Sequence, residues 1–284
     1  MMTRHYKVAG HTFAVSGRAE LFELMGNYEP FECEVGEPLF SLIEDSGVVP
    51  EYTEVFHKAF MSCGYDAYGN DVFEFLVEKK SEGFLICSKD YCEGRLTMTE
   101  GNRKIMLDRA LMNMYALATA GKDTLLVHAV VVSCEGKGYL FLGPCHEGKS
   151  THARLWLEHV EGTELVNDDF PVVRDGVVYG SPWNPKTPCY RNVCYPIGGF
   201  VRLSQAPYNK ILRLSGIEAY LNLLVRVWGT DFDNRIADDL HQTMNRLAST
   251  IPMWHLECMP DKAAARLCYE TITQLPQEAE AEMK

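Results

Sequence analysis

The sequence predicts an α/β protein in two parts: a strand-rich first hundred residues, then a domain built on a strand, a glycine-bounded loop and a helix. Three observations carry this. Residues Gly143 to Ser150, Gly-Pro-Cys-His-Glu-Gly-Lys-Ser, fit the phosphate-loop pattern G-x-x-x-x-G-K-[ST]. The apolar run 139–142 before the loop reads as a buried strand. Residues 149–160 after it read as a helix with Ala153, Trp156, Leu157 and Val160 on one face. Upstream, short alternating segments divided by turn residues read as strands.

In chain order, residues 51–61 are compatible with a helix. Phe73, Phe75 and Val77 then alternate as a strand, residues 79–83 supply a turn, 84–87 return, and 95–99 form another strand. No chemical motif stands in this region, and its charges read as a solvated face. A helix opens at Asn102, repeats Leu107, Ala110, Leu111, Met114 and Ala118 at helical spacing, and stops at Gly121. With a boundary near residue 100, this helix is expected to pack against the second domain. The division is then 1–100 strand-rich, 101–273 built around the phosphate loop, and 274–284 a loose acidic tail.

An apolar run at 125–132 contains His128, and a turn at 135–138 leads to the loop strand. Past the loop helix, 164–166 is a strand running into Asn167-Asp168-Asp169, and 172–179 is a hairpin about a tight Asp175-Gly176 turn. Ser215 to Glu218 has capping-box form, and Ile217, Leu221, Leu224 and Trp228 continue its helix to Gly229. A helix over 237–247, a strand through Trp254, Leu256 and Cys258, and a last helix capped by Asp261 complete the chain.

Composition narrows the function. A chain of 284 residues with 46% hydrophobic content can form an ordinary core, while a net charge of −12 argues against a nucleic-acid partner. No apolar run is long enough to span a membrane, and the start Met1-Met2-Thr3-Arg4-His5-Tyr6 lacks the apolar core of a signal peptide. Ten cysteines without C-x-x-C spacing read as free thiols of a reducing compartment, so a cytoplasmic location is expected. Cys189 and Cys194 do not have the spacing of a structural zinc site.

The loop directs successive backbone N–H groups inward at a helix N-terminus, an arrangement that holds polyphosphate. The expected nucleotide contacts are Gly143, Pro144, Cys145, His146, Glu147, Gly148, Lys149, Ser150 and Thr151, with Lys149 on the terminal phosphates. Magnesium is expected on Ser150 and Asp169. Adjacent carboxylates at a strand end can divide the work of phosphoryl transfer, so Asp168 and Asp169 are the expected metal contact and base. His128 reads equally as core or as a proton-moving group beside the phosphates. His146 and His152 read as loop and helix surface. His146 also occupies a position where small residues are usual because φ there is often positive, and Glu147 adds a carboxylate near the phosphates. A loop that keeps its shape without turnover is therefore the alternative.

His128-Ala129-Val130, the loop, and Val166-Asn167-Asp168-Asp169 together resemble the nucleotide domain of HPr kinase/phosphorylase. They are more closely similar to HPr-kinase-like proteins found beside peptide-modification genes. Residues 179–183, 196–207 and 251–256 share in the resemblance, which covers about residues 122–270. It implies a fold of phosphoenolpyruvate carboxykinase type and transfer of phosphate from ATP, with Mg2+, to a serine hydroxyl. It also places Lys186, Arg191 and Arg202 where they could steady phosphates. The chain departs from the family at Cys145, at His146 and at Thr151, where HPr kinases carry glutamate, and it lacks their arginine-glycine loop. HPr itself is not the expected acceptor. The expectation is a kinase acting on a serine or threonine of a peptide or small protein. A nucleotide-binding regulatory module and a small-molecule kinase are the alternatives.

Overall fold

The computed structural model describes residues 1–45, 49–183, 187–229 and 234–273, so Lys186 and the expected tail at 274–284 lie outside the described residues. The chain is mixed α/β with two sheets. It divides into one compact unit of Met1–Leu126 with Gly229–Asp239 and another of Val127–Trp228 with Leu240–Lys284.

Alternating apolar residues in the first unit build β1 (Met2–Val8), β2 (His11–Gly17), β3 (Phe40–Glu44), β4 (Thr53–Lys58), β5 (Met61–Tyr65), β6 (Asp71–Val77), β7 (Lys80–Cys87) and β8 (Glu93–Met98). They form one sheet in the order β1-β2-β3-β8-β7-β6-β5-β4. The two pairings of β3 are parallel and the rest antiparallel. A short helix α1 (Ala19–Glu23) and a 3₁₀ turn (Gly26–Phe31) connect β2 to β3.

Helix α2 (Arg103–Thr119) lies on this sheet, touching β3, β7 and β8, and leads to the short strand β9 (Thr124–Leu126). Its Leu107, Ala110, Leu111 and Met114 are buried, and Tyr115 donates to the Val8 carbonyl at 2.9 Å. Gly94 permits the crossing, because a Cβ there would stand 2.7 Å from the Met114 sulfur. This corrects the expected boundary near residue 100. Helical spacing shows that α2 buries a face, but not which sheet receives it.

Residues 51–61 are not a helix either, since β4 and β5 pair as an antiparallel hairpin. Tyr52, Val55, Phe56, Ala59 and Phe60 do recur at helical spacing, yet Val55 is exposed on the outermost strand. The turn after β6 is also tighter than expected. Glu78 and Lys79, at φ 50° and 66°, complete it before β7 begins.

The second unit holds β10 (Val130–Cys134), β11 (Lys137–Leu142), α3 (Lys149–His159), β12 (Glu164–Asn167), β13 (Val172–Arg174), β14 (Val177–Tyr179), β15 (Cys194–Gln205), β16 (Lys210–Leu214), α4 (Ile217–Leu224), β17 (Met253–Cys258) and α6 (Lys262–Thr273). Helix α5 (Asn234–Thr250) precedes β17. Strand β15 is the spine. It runs parallel to β11 along one edge, and its other edge meets β14 antiparallel at its start and β17 parallel further on. Strands β10 and β12 continue outward from β11, while β16 lies beyond β17. Helices α3 and α6 pack together over a core that includes Tyr139, Phe141, Trp156, Val201, Leu203, Trp254 and Cys268. Gly199 belongs to this packing, since a Cβ there would lie 2.3 Å from the Trp254 ring.

Several local expectations hold. Asp175 and Gly176, at φ 50° and 74°, turn β13 into β14, and Asp261 caps α6 by accepting the Ala264 N–H at 2.8 Å. Others do not. The run 125–132 breaks at residues 127–129 between β9 and β10, so His128 is not within a strand. Helix α4 ends at Leu224 rather than Trp228, and its N-cap is Gly216 with no side-chain capping bond. Among the described residues, no helix is long and apolar enough to cross a membrane. All ten cysteines are free.

Candidate functional site

Residues 143–148 join β11 to α3, and two of them take left-handed backbone: His146 at φ 66° and Gly148 at φ 99°. Glycine adopts that region freely and histidine at some cost. The loop is braced from β15. Glu147 accepts the Gln205 backbone N–H at 2.8 Å, and the Gln205 side-chain amide donates to the His146 carbonyl at 2.9 Å. The Glu147 carboxylate is thereby engaged at the end of β15. Lys149 is buried, and its ammonium donates to the Gly143 and Pro144 carbonyls at 2.9 and 3.0 Å.

Strand β12 delivers the acidic pair to the first turn of α3. Ser150 donates its hydroxyl to Asp168 Oδ1 at 2.7 Å, and Thr187 donates to Asp168 Oδ2 at 2.6 Å. Asp168 is 6% exposed, with two hydroxyl partners and no ion pair among the described residues. Asp169 turns the other way, with Oδ1 3.4 Å from His128 Nε2. Its backbone is fixed on both sides: its N–H donates to Asn167 Oδ1 at 2.9 Å and its carbonyl accepts from the Ala129 N–H at 3.0 Å. Asn167 in turn donates to Ser181 Oγ at 3.1 Å. The His128 ring stacks on Phe170 at 5.2 Å, and Phe170 meets Trp228 edge-on at 5.3 Å. Loop, Ser150, both aspartates and His128 are thus brought together.

Of the three basic residues suggested by resemblance, Arg191 is committed to β12, bonded to Glu164 at 2.6 Å and to the Leu165 carbonyl at 2.8 Å. Lys186 lies outside the described residues. Arg202 stands opposite Leu142 in the β11–β15 register, at the start of the loop. Arg226, which sequence reasoning missed, lies within electrostatic reach of Arg202 and Glu147. Burial first, then Arg202, holds its guanidinium below the usual arginine range. It reaches the loop because the chain turns after α4 and the Arg226 carbonyl accepts the His128 N–H at 2.8 Å. Neither Arg202 nor Arg226 makes an ion pair among the described residues. Thr187 was also missed, and Asn167 and Ser181 stood within motifs without a role of their own; tertiary partners give all three theirs.

His152 is not on the helix surface. It is 3% exposed, lies edge-on to Phe141 and accepts the Trp156 indole N–H on Nε2 at 3.1 Å. Burial pulls its pKa down to about 4.

The residues present fit magnesium. Among the described residues no three His, Cys, Asp or Glu side chains form a metal-binding group of their own. Mg2+, however, characteristically uses one or two protein oxygens and completes its shell with phosphate and water. Ser150 and Asp168 offer such a pair. No protein-family model matches this chain, and no curated protein sequence matches it.

Proposed function

We propose that the second unit binds ATP with magnesium and transfers the terminal phosphoryl group to a serine or threonine hydroxyl of a peptide or small protein. In this reading it is a domain of the phosphoenolpyruvate carboxykinase/HPr kinase type, acting in the cytoplasm. The observation that carries the proposal is Asp168: a buried carboxylate at the first turn of the loop helix whose partners among the described residues are two hydroxyls. A buried carboxylate placed in this way suits a bound cation.

Bound magnesium would supply charge neutralisation on the phosphates. The chain's own residues divide the remaining work. Ser150 and Asp168 would hold the metal, so the contacts favour Asp168 over Asp169 for that role. Lys149 would exchange two carbonyl bonds for phosphate oxygens. Arg202 and Arg226 would face charge developing at the loop mouth. Asp169, steadied by His128, would accept the acceptor hydroxyl's proton as the new O–P bond forms and the bond to the departing diphosphate breaks.

A nucleotide-binding module without turnover is the second reading, favoured by the strained His146 and by Glu147 in the loop. Both readings predict stabilisation by Mg-ATP, about 2.7 kcal/mol at a hundred times the dissociation constant. Only the kinase releases ADP and adds a phosphate mass to a peptide. Incubation with Mg-ATP and a serine/threonine peptide library, followed by mass spectrometry, separates them, with Lys149→Ala as the control. ADP release lost in that variant supports transfer. Binding without release supports the module, and no binding defeats both.

A further inference from the structure

Thr187 brings a hydroxyl of the chain itself to the acidic pair. It donates to Asp168 Oδ2 at 2.6 Å, on the carboxylate whose Oδ1 takes the Ser150 hydroxyl from the first turn of α3. The segment that carries Thr187 lies along β12, which ends its sheet beyond β10. Alternate side chains make the contacts. Thr187 meets Asp168, and the Cys189 thiol donates to the Leu165 and Val166 carbonyls at 3.5 and 3.6 Å. Arg191 donates to the Leu165 carbonyl at 2.8 Å and to Glu164 at 2.6 Å.

Contacts that repeat every second residue are the mark of an extended chain. As the number rises from 187 to 191, the partner falls from 168 to 164, so the segment runs antiparallel to β12. Residues 187–191 therefore follow this strand as an extended peptide would, with a hydroxyl at the end nearest the loop helix. Burial pushes the Cys189 thiol up, which keeps it a neutral donor to the strand. Positioning Asp168 is the plainer use of the Thr187 hydroxyl. Ser150 already does that from α3, however, and Thr187 is half-buried where Asp168 is buried.

We propose that Thr187 is a phosphoryl acceptor in cis, so that the chain phosphorylates its own threonine when ATP and magnesium occupy the loop. The inference rests on the phosphoryl-transfer reading above and names one acceptor for that site. Thr187 Oγ1 forms a bond to the terminal phosphorus of ATP. The bond from that phosphorus to the oxygen shared with the diphosphate breaks, and ADP leaves with the electron pair. The hydroxyl already donates to Asp168, so in this transfer its proton passes to Asp168 Oδ2 along that bond. Tethering makes the step unimolecular, because the acceptor is held beside the site by its own chain.

Incubation of the full chain with Mg-ATP, followed by intact-mass measurement and peptide mapping, tests this, with thermal unfolding as a parallel readout of nucleotide binding. The native chain should gain one phosphate, on Thr187, at a rate per molecule unchanged by dilution. Thr187→Ser should keep the phosphate and Thr187→Val should lose it, whereas a threonine that only positions Asp168 would never carry one. A Lys149→Ala chain mixed with the native chain should stay unlabelled at Thr187, because each hydroxyl is served by its own loop. Mg-ATP binding without phosphate on Thr187, a rate that rises in proportion to protein concentration, or equal labelling of Thr187→Val would overturn the proposal. Phosphate on an added peptide with none on Thr187 would sink the proposal and leave the phosphoryl-transfer reading standing. Absence of any stabilisation by Mg-ATP would defeat both.

Discussion

Glu44 in the first unit and Asp168 in the second are carboxylates of similar burial, 9% and 6% exposed, with different partners. Glu44 meets two guanidiniums, Arg18 at 3.1 Å and Arg103 at 2.9 Å, and accepts the Arg18 backbone N–H at 2.8 Å. Burial pushes its pKa up, but these partners outweigh it and leave the carboxyl below its usual range. Among the described residues, Asp168 meets the hydroxyls of Ser150 and Thr187 and no cation. One carboxylate is neutralised within the protein and ties β3 to α1 and α2. The other has no such cationic partner among the described residues. Both units bury acidic groups, and the kind of partner separates structural use from proposed chemistry.

Substitution should make the contrast visible. The largest effect belongs to the second unit. Asp168→Asn should lower ATP turnover by about a thousandfold, as removal of a charge-stabilising group does, while unliganded stability stays equal or rises, because the described residues give this buried carboxylate no cationic partner to lose. Steady-state ADP release and urea denaturation read the two arms. A variant that loses both activity and several kcal/mol would show Asp168 to be structural.

Glu44→Gln should behave in the opposite way. Breaking a buried, arginine-paired carboxylate should cost about 3 kcal/mol in urea denaturation, with Mg-ATP affinity unchanged. Its pH dependence has a definite sign. A folded-state pKa below the unfolded value contributes stability at neutral pH that is lost as pH falls through the folded value. The native chain should therefore lose more stability on acidification than Glu44→Gln does.

His152 contributes a second acid-sensitive increment, located in the second unit. Its pKa falls from 6.5 to about 4 on folding, so the unfolded chain binds the extra proton between those values. Stability is complete above about pH 6.5 and declines toward pH 4 by about 3 kcal/mol. Comparing urea midpoints at pH 7 and 4.5 for the native chain and His152→Phe checks it, and the variant should show the shallower decline. The smallest effect is at the loop brace. Glu147→Ala should cost about 1 kcal/mol, the typical value of one hydrogen bond, and should loosen residues 143–148 in hydrogen exchange.

What was legible in the sequence was local. The loop pattern, its strand and its helix needed only residues close together in the chain, as did the Asp-Gly hairpin and the Asp261 cap. Motif order led to the expectation that the loop, the two aspartates and His128 lie near one another, but not that Ser150 pairs with Asp168 and His128 with Asp169. What escaped was decided by tertiary partners. Residues 51–61 carry helical spacing, yet strand pairing overrides it at the sheet edge. The apolar stripe of α2 gave no hint of which sheet it would cover. Arg226 reads as one more residue on an amphipathic helix until α4 stops early and backbone pairing with His128 carries it to the loop. His152 looked like helix surface because no spacing rule reports an indole that needs an acceptor.

The proposal depends most on Asp168 as the side chain that would hold magnesium. It is tested most directly by thermal unfolding with ATP, with and without magnesium, in the native chain and in Asp168→Asn. The account predicts that magnesium enlarges the stabilisation by ATP in the native chain, that the substitution abolishes this enlargement, and that the unliganded variant melts no lower than the native chain. An Asp168→Asn protein that keeps the full magnesium response, or a native chain that shows none, would contradict it.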